Sequence, residues 1–92
     1  MTKAVMAELT VQRLIRFDGE GSLKAFCDLQ VSDLFVIKGL RIVNGRKGVF
    51  VSMPRQQGKD TKWYDMVEPL SLEVKQEVDR LVLAAYDNSA AQ

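Results

Sequence analysis

Between positions 23 and 31 the chain reads LKAFCDLQV, with Leu23, Ala25, Cys27, Leu29 and Val31 on every second residue and Lys24, Phe26, Asp28 and Gln30 between them. A period of two fits a strand, whose successive side chains point to opposite sides of a sheet, and an apolar set on one side calls for burial of that face. The preceding run, AVMAELTVQRLIRF, repeats the pattern. Val5, Ala7, Leu9, Val11, Ile15 and Phe17 fall on odd positions, interrupted only by Arg13. DGEG at 18–21 is turn chemistry, so the two runs read as a hairpin. LFVIKGLRIV at 34–43 predicts a third strand, and Gly39 inside it marks a bulge or a close backbone approach. Asn44-Gly45 signals a second hairpin whose loop extends through Arg46-Lys47-Gly48. VFVSM at 49–53 is its return strand, ended by Pro54. PRQQGKDTK then reads as a mobile polar loop and WYDMV at 63–67 as a short fifth strand.

After Glu68-Pro69 the period becomes helical. Ser71 is a capping residue, and Val74, Val78, Leu81, Val82 and Ala85 form one apolar stripe. Lys75 and Asp79 stand at i,i+4 on the other side. Residues 87–92 are expected to fray, and 1–8 to form an N-terminal extension. The predicted fold is α+β: a single domain over 1–92, with an antiparallel sheet of four or five strands closed by one C-terminal helix. One helix covers one side of such a sheet. The open side would keep Phe26 and, according to the register at Gly39, Phe35, Ile37 or Phe50, so a homodimer is expected.

Composition narrows the chemistry. The 92 residues, 47% hydrophobic and 27% charged, suit one globular domain. The apolar runs are far shorter than the roughly 20 residues that cross a bilayer, and the N-terminus has no stretch of signal-peptide type, which points to the cytoplasm. Cys27 is the only cysteine and there is no histidine. An intrachain disulfide and Ser–His or Cys–His pairs are excluded, and zinc would have to be held by carboxylates alone. Asp60, Asp65 and Glu68 have no imidazole or metal signature beside them. The expectation is no enzyme, no cofactor, no metal and no small-molecule substrate.

Charge is distributed unevenly. Residues 38–62 hold Lys38, Arg41, Arg46, Lys47, Arg55, Lys59 and Lys62 against Asp60 alone, a local charge of +6 in a chain whose net charge is +1. The other residues, 6 basic against 11 acidic, carry −5. Arg46-Lys47 falls at a hairpin tip and Arg55, Lys59 and Lys62 in a loop, places from which cations reach phosphates. Charge alone leaves three readings open: nucleic acid, a solvated surface, or an acidic protein partner. Gly45-Arg46-Lys47-Gly48 lacks the spacing and following helix of a P-loop and reads as a turn. Trp63 is expected to be buried and structural, while Tyr64 could stack on a base.

FVIKGLRIVNG, then GVFVSMP, a loop leading to WYDMVEPL, and one terminal helix together closely resemble the stage V sporulation protein G (SpoVG) family, from about Leu9 to Tyr86. The resemblance implies a small dimeric α/β protein that binds DNA and RNA and regulates gene expression, with links to septation and sporulation. It implies binding through basic residues on the strand before the hairpin and in the loop after Met-Pro. Here those are Lys38 and Arg41, then Arg55 to Lys62 with Gln57 among them. Members commonly carry adjacent basic residues where this chain has Gln56 and Gln57, and arginine where it has Tyr64. The expected interface is therefore Lys38, Arg41, Arg46, Lys47, Arg55, Gln57, Lys59 and Lys62. The alternative is an interaction module that docks an acidic partner.

Overall fold

A computed structural model describes residues 8–17 and 19–90. Strands β1 (Leu9–Arg16), β2 (Leu23–Val31), β3 (Phe35–Gly45) and β4 (Gly48–Ser52) pair antiparallel in that order. Two shorter strands, β5 (Arg55–Gln57) and β6 (Trp63–Asp65), pair only with each other. Helix α1 (Leu72–Ala90) packs on one face of the four-stranded sheet. The core between them is Ala25, Cys27, Leu29, Leu40, Ile42, Val51, Met53, Val78 and Val82, all buried. The architecture is the expected α+β one, with a correction. WYD is no fifth strand of the main sheet, and the polar stretch before it is not all loop, because Arg55–Gln57 forms a strand that pairs with β6.

Three bulges set which residues face the core. On β1, Val11 lies opposite Leu29 and Arg13 opposite Asp28, so Gln12 is an extra residue. The phase inverts there: Leu9, Val11 and then Leu14 pack on the core, while Ile15 and Phe17 turn to the other face, 40% and 36% exposed. The expected odd-numbered stripe therefore breaks at the interruption marked by Arg13. On β2, Lys24 is extra. Leu23 thus pairs with Val43 on the helix-free face instead of joining Ala25, Cys27 and Leu29 in the core. On β3, the extra residue falls at Lys38-Gly39, where Gly39 has φ +90° and its N–H donates to Asp28 Oδ1 at 3.3 Å. Only glycine takes this conformation freely. It lets Ile37, Leu40 and Ile42 all face the helix, and Phe50 joins Phe26 on the open side.

At the helix start, Val74 N–H donates to Ser71 Oγ at 3.2 Å, as the sequence predicts. Lys75 and Asp79 meet at 2.7 Å. Residues 87–90 belong to the helix. Arg16 holds that end, donating to Tyr86 O at 2.9 Å and Ser89 Oγ at 3.0 Å, with its guanidinium 4.1 Å from the Tyr86 ring centroid. Carbonyls of a last turn lack helical partners and favour a cation. Among the described residues no helix is long and apolar enough to cross a membrane. The expectations for Val5 and Ala7, for Asp18 in the first turn, for most of the N-terminal extension and for residues 91–92 lie outside the described residues. Glu8, the first described, is tied to the β2–β3 turn by its N–H donating to Ser32 Oγ.

Candidate nucleic-acid interface

The β3–β4 turn consists of Arg46 and Lys47 alone, because Gly45 and Gly48 already pair across it. The Asn-Gly signal thus lies one step before the true turn, whose geometry rests on Gly48 at φ +118°. Both basic side chains are exposed at the tip. The Phe50 ring occupies the space beside Gly45: a Cβ there would stand 2.9 Å from Phe50 Cε1. These residues, with Val49, line a shallow concavity of about 390 Å³.

Arg41 stands opposite Phe26 on β2 and Ser52 on β4, exposed on the helix-free face, and Lys38 is exposed at the bulge. The chain leaves the sheet just past Ser52 to form the β5–β6 hairpin. The five residues of β4 span about 17 Å at ~3.4 Å per residue, so the Arg46-Lys47 tip and the second hairpin occupy opposite ends of that strand. The eight expected residues do not form one patch. Arg46 and Lys47 make one group, and Lys38 and Arg41 lie toward the end where Arg55, Gln57, Lys59 and Lys62 project.

That second hairpin is tied internally. Arg55 is opposite Asp65 and pairs with it at 3.0 Å, both side chains about half exposed. Gln57 Nε2 donates to Thr61 O at 3.0 Å, and Gly58 N–H to Lys62 O at 2.8 Å. Tyr64 packs its ring over Gly58, where a Cβ would meet Cε2 at 2.8 Å, and its hydroxyl donates to Asp60 Oδ2. Asp60 Oδ1 also accepts from Lys62 N–H at 3.1 Å. The Tyr64 hydroxyl first, then the Lys62 amide, hold the Asp60 carboxyl below its usual range, and the same bond raises the Tyr64 phenol. Tyr64 is thereby a fastening of the loop. Trp63 is 50% exposed, which corrects the expectation of burial: β6 pairs with β5 away from the main core, so no second layer covers it.

Electrostatics separates the two sides of the molecule. Of the seven basic residues in 38–62, only Arg55 forms an ion pair among the described residues, whereas the helix cations Lys75 and Arg80 are matched to Asp79 and Glu77. Among the described residues no group of three His, Cys, Asp or Glu side chains is placed to hold a metal ion. Cys27 is buried, and burial, then the charge of Asp28, push its thiol up to about 11. It is protonated at neutral pH and packs as a small apolar group. Sequence reasoning missed Phe17 as an open-face residue and Arg13 beside Asp28 on that same face. The only sequence signal for either was the broken alternation at Arg13.

The family model for SpoVG matches residues 6–88. The chain belongs to the SpoVG family. It is 41% identical over 81 residues to a protein of Archaeoglobus fulgidus named "Putative septation protein SpoVG", covering 88% of this chain and 95% of that protein. A protein of the same name from Symbiobacterium thermophilum is 38% identical over 80 residues, 87% of this SpoVG chain. That relative is longer, and the match covers 57% of it. One from Staphylococcus carnosus is 30% identical over 82 residues, with 89% and 77% covered. The matches span the sheet, the second hairpin and most of the helix of this SpoVG domain.

Proposed function

We propose that this SpoVG protein is a non-catalytic, cytoplasmic DNA- and RNA-binding regulator of gene expression, and that, as its relatives' name suggests, it serves septation. The observation that carries the reading is the set of six cations in 38–62 that find no acidic partner among the described residues, while Lys75 and Arg80 on the helix are neutralised. An unpaired, exposed Lys or Arg gives up no ion pair when it meets a phosphate, and each contact releases counterions. Arg46 and Lys47 at one end and Lys38, Arg41, Lys59 and Lys62 toward the other could follow a backbone along the molecule. Arg55 would have to exchange Asp65 for a phosphate, so it ranks below them.

The test is fluorescence titration of random-sequence duplex DNA and RNA across 50–200 mM salt. Four phosphate contacts per chain predict that log K falls against log salt with a slope of about −3 to −4 on duplex. Arg46→Ser with Lys47→Ser, and separately Lys59→Ser with Lys62→Ser, are each expected to reduce that slope by about two units. Lys75→Ser with Arg80→Ser is expected to change it little. Wild-type slopes in both basic-site variants would defeat the reading. Binding to a glutamate-rich peptide without binding to nucleic acid would instead support the acidic-partner alternative.

Self-association belongs to the same reading. Apolar side chains are also exposed on the helix side of the molecule. A groove of about 780 Å³ there is lined by Leu9, Phe35, Met53, Val67, Leu70 and Val74 among others. Leu34, Leu70 and Leu72 protrude, 74%, 97% and 71% exposed. Protrusions and groove on one chain suit a twofold contact with a second copy.

A further inference from the structure

The helix-free face of the sheet carries features that the basic stretch does not explain. Ile15, Phe26, Arg41 and Ser52 are successive cross-strand partners and form one row on this face. Leu23, Val43 and Phe50 form the next. Arg41 is therefore flanked by Phe26 directly opposite on β2 and by Phe50 on the diagonal of β4, both within side-chain reach. Phe17 meets Phe26 edge-on, with centroids 5.1 Å apart and planes at 86°. Phe50 is 49% exposed, with one side of its ring against the bare backbone of Gly45. A ring seated in this way is kept from collapsing into the core, which α1 closes from the other side.

The charge on this face is also specific. Arg13 and Arg41 lie among the rings, and Arg46 and Lys47 stand at the rim beside Phe50. None of these four cations forms an ion pair among the described residues. Among the described residues, Asp28 is the acid beside these rows; it lies opposite Arg13 on β1 without an ion pair and accepts the Gly39 N–H. A second copy laid face to face would bury four unpaired guanidinium groups, two from each chain, at considerable desolvation cost. Aromatic rings interleaved with cations that form no ion pair match a polyanion that carries planar apolar groups.

We propose that this face binds single-stranded nucleic acid, with bases stacked on Phe50 and on the Phe17–Phe26 pair and with phosphates met by Arg13, Arg41 and the Arg46-Lys47 tip. The inference rests on the nucleic-acid reading above and adds the strand state of the ligand and the residues that select it. Duplex bases are stacked on one another and cannot use the rings, so the aromatic contribution appears only with single strands.

The experiment is fluorescence anisotropy with labelled oligothymidylate of about 12 nucleotides, within the span of such sites, beside a duplex of the same length. Phe50→Ile keeps an apolar, strand-compatible side chain but removes the π-face, and Phe50→Trp keeps it. Phe50→Ile is expected to weaken single-strand binding roughly tenfold or more, with the salt slope and the duplex affinity unchanged. Phe50→Trp is expected to bind like the wild type. Circular dichroism and sedimentation accompany every variant, and Phe17→Ile, at the open end of β1, carries the same expectation should Phe50→Ile fail to fold. Wild-type binding to duplex alone overturns this inference and leaves the general reading standing. So does an equal loss on both ligands, or no loss on the single strand. Loss of self-association in Phe50→Ile assigns the face to a second copy and also overturns it. A wild-type protein that binds neither nucleic acid defeats the general reading and this inference together.

Discussion

Arg16 sits on a strand whose simple alternation would point it at solvent, yet the extra residue at Gln12 turns it onto the end of α1. There it donates to Tyr86 O and Ser89 Oγ and stacks on the Tyr86 ring. Hydrogen bonds from a charged donor contribute about 1.5–3 kcal/mol when partly shielded, and a cation–π contact at such a site ~0.5–1 kcal/mol. Allowing for the side-chain entropy of ordering an arginine, Arg16→Ala is expected to cost about 2 kcal/mol. In a domain of this size that lowers the melting temperature by roughly 10 °C. Thermal unfolding followed by circular dichroism measures it, and a melting temperature within 2 °C of wild type would show that the last helical turn holds without Arg16.

The β5–β6 hairpin stands apart from the main sheet, fastened by Asp60, Tyr64 and the Arg55–Asp65 pair. Its pH dependence follows from two groups shifted in opposite directions. Asp60 has a folded pKa below its unfolded value, so its contribution is present above the unfolded value and is lost as pH falls through the folded one. Tyr64 has a folded pKa above its unfolded value, near 10, so its contribution is present below that and is lost as pH rises through the folded one. The hairpin is thus expected to hold at neutral pH and to loosen at both extremes. Emission from Trp63, the chain's one tryptophan, reports on it directly. A plateau between about pH 5 and 9 with a change on either side is expected, and Asp60→Asn is expected to remove the acid-side change. An acid-side change that survives in Asp60→Asn would mean that other carboxylates set it.

At the scale of the whole molecule the protein is flat, 51 × 42 × 25 Å, with a radius of gyration of 14.3 Å. A compact domain of this length would have about 12 Å. One helix on one sheet leaves large surfaces of both uncovered, and the two sides differ in character. The helix side exposes leucines around a groove, and the open sheet face mixes rings with unpaired cations. This contrast underlies the assignment of self-association to the first and nucleic acid to the second. Sedimentation at micromolar concentration is expected to give about twice the chain mass of 10.4 kDa for the wild type. Leu70→Asp is expected to sediment as a single chain with its far-ultraviolet spectrum intact, because a side chain 97% exposed adds almost nothing to the fold of one copy. A Leu70→Asp protein that still doubles its mass would place the contact elsewhere.

The four strands of the main sheet, the helix start at Ser71 and the buried stripe Ala25–Cys27–Leu29 were legible in the sequence because alternation and capping are local: each depends on residues a few positions apart. The excess of cations in 38–62 was equally plain, being a matter of composition. What only the tertiary structure decided depends on which residue lies opposite which. The bulges at Gln12 and Lys24 exist only relative to a partner strand, and each moves the residues beyond it to the other face, so Ile15, Phe17 and Leu23 left the core and Arg16 entered its edge. The partner of β6 could not be read from WYD, because pairing is chosen between segments, and that partner is β5 and not a strand of the main sheet. Whether each cation is free or matched was likewise invisible. Arg55 faces Asp65 across two strands, while Arg41 faces Phe26 and Ser52, and that difference in neighbours separates a structural ion pair from a charge free to meet a ligand.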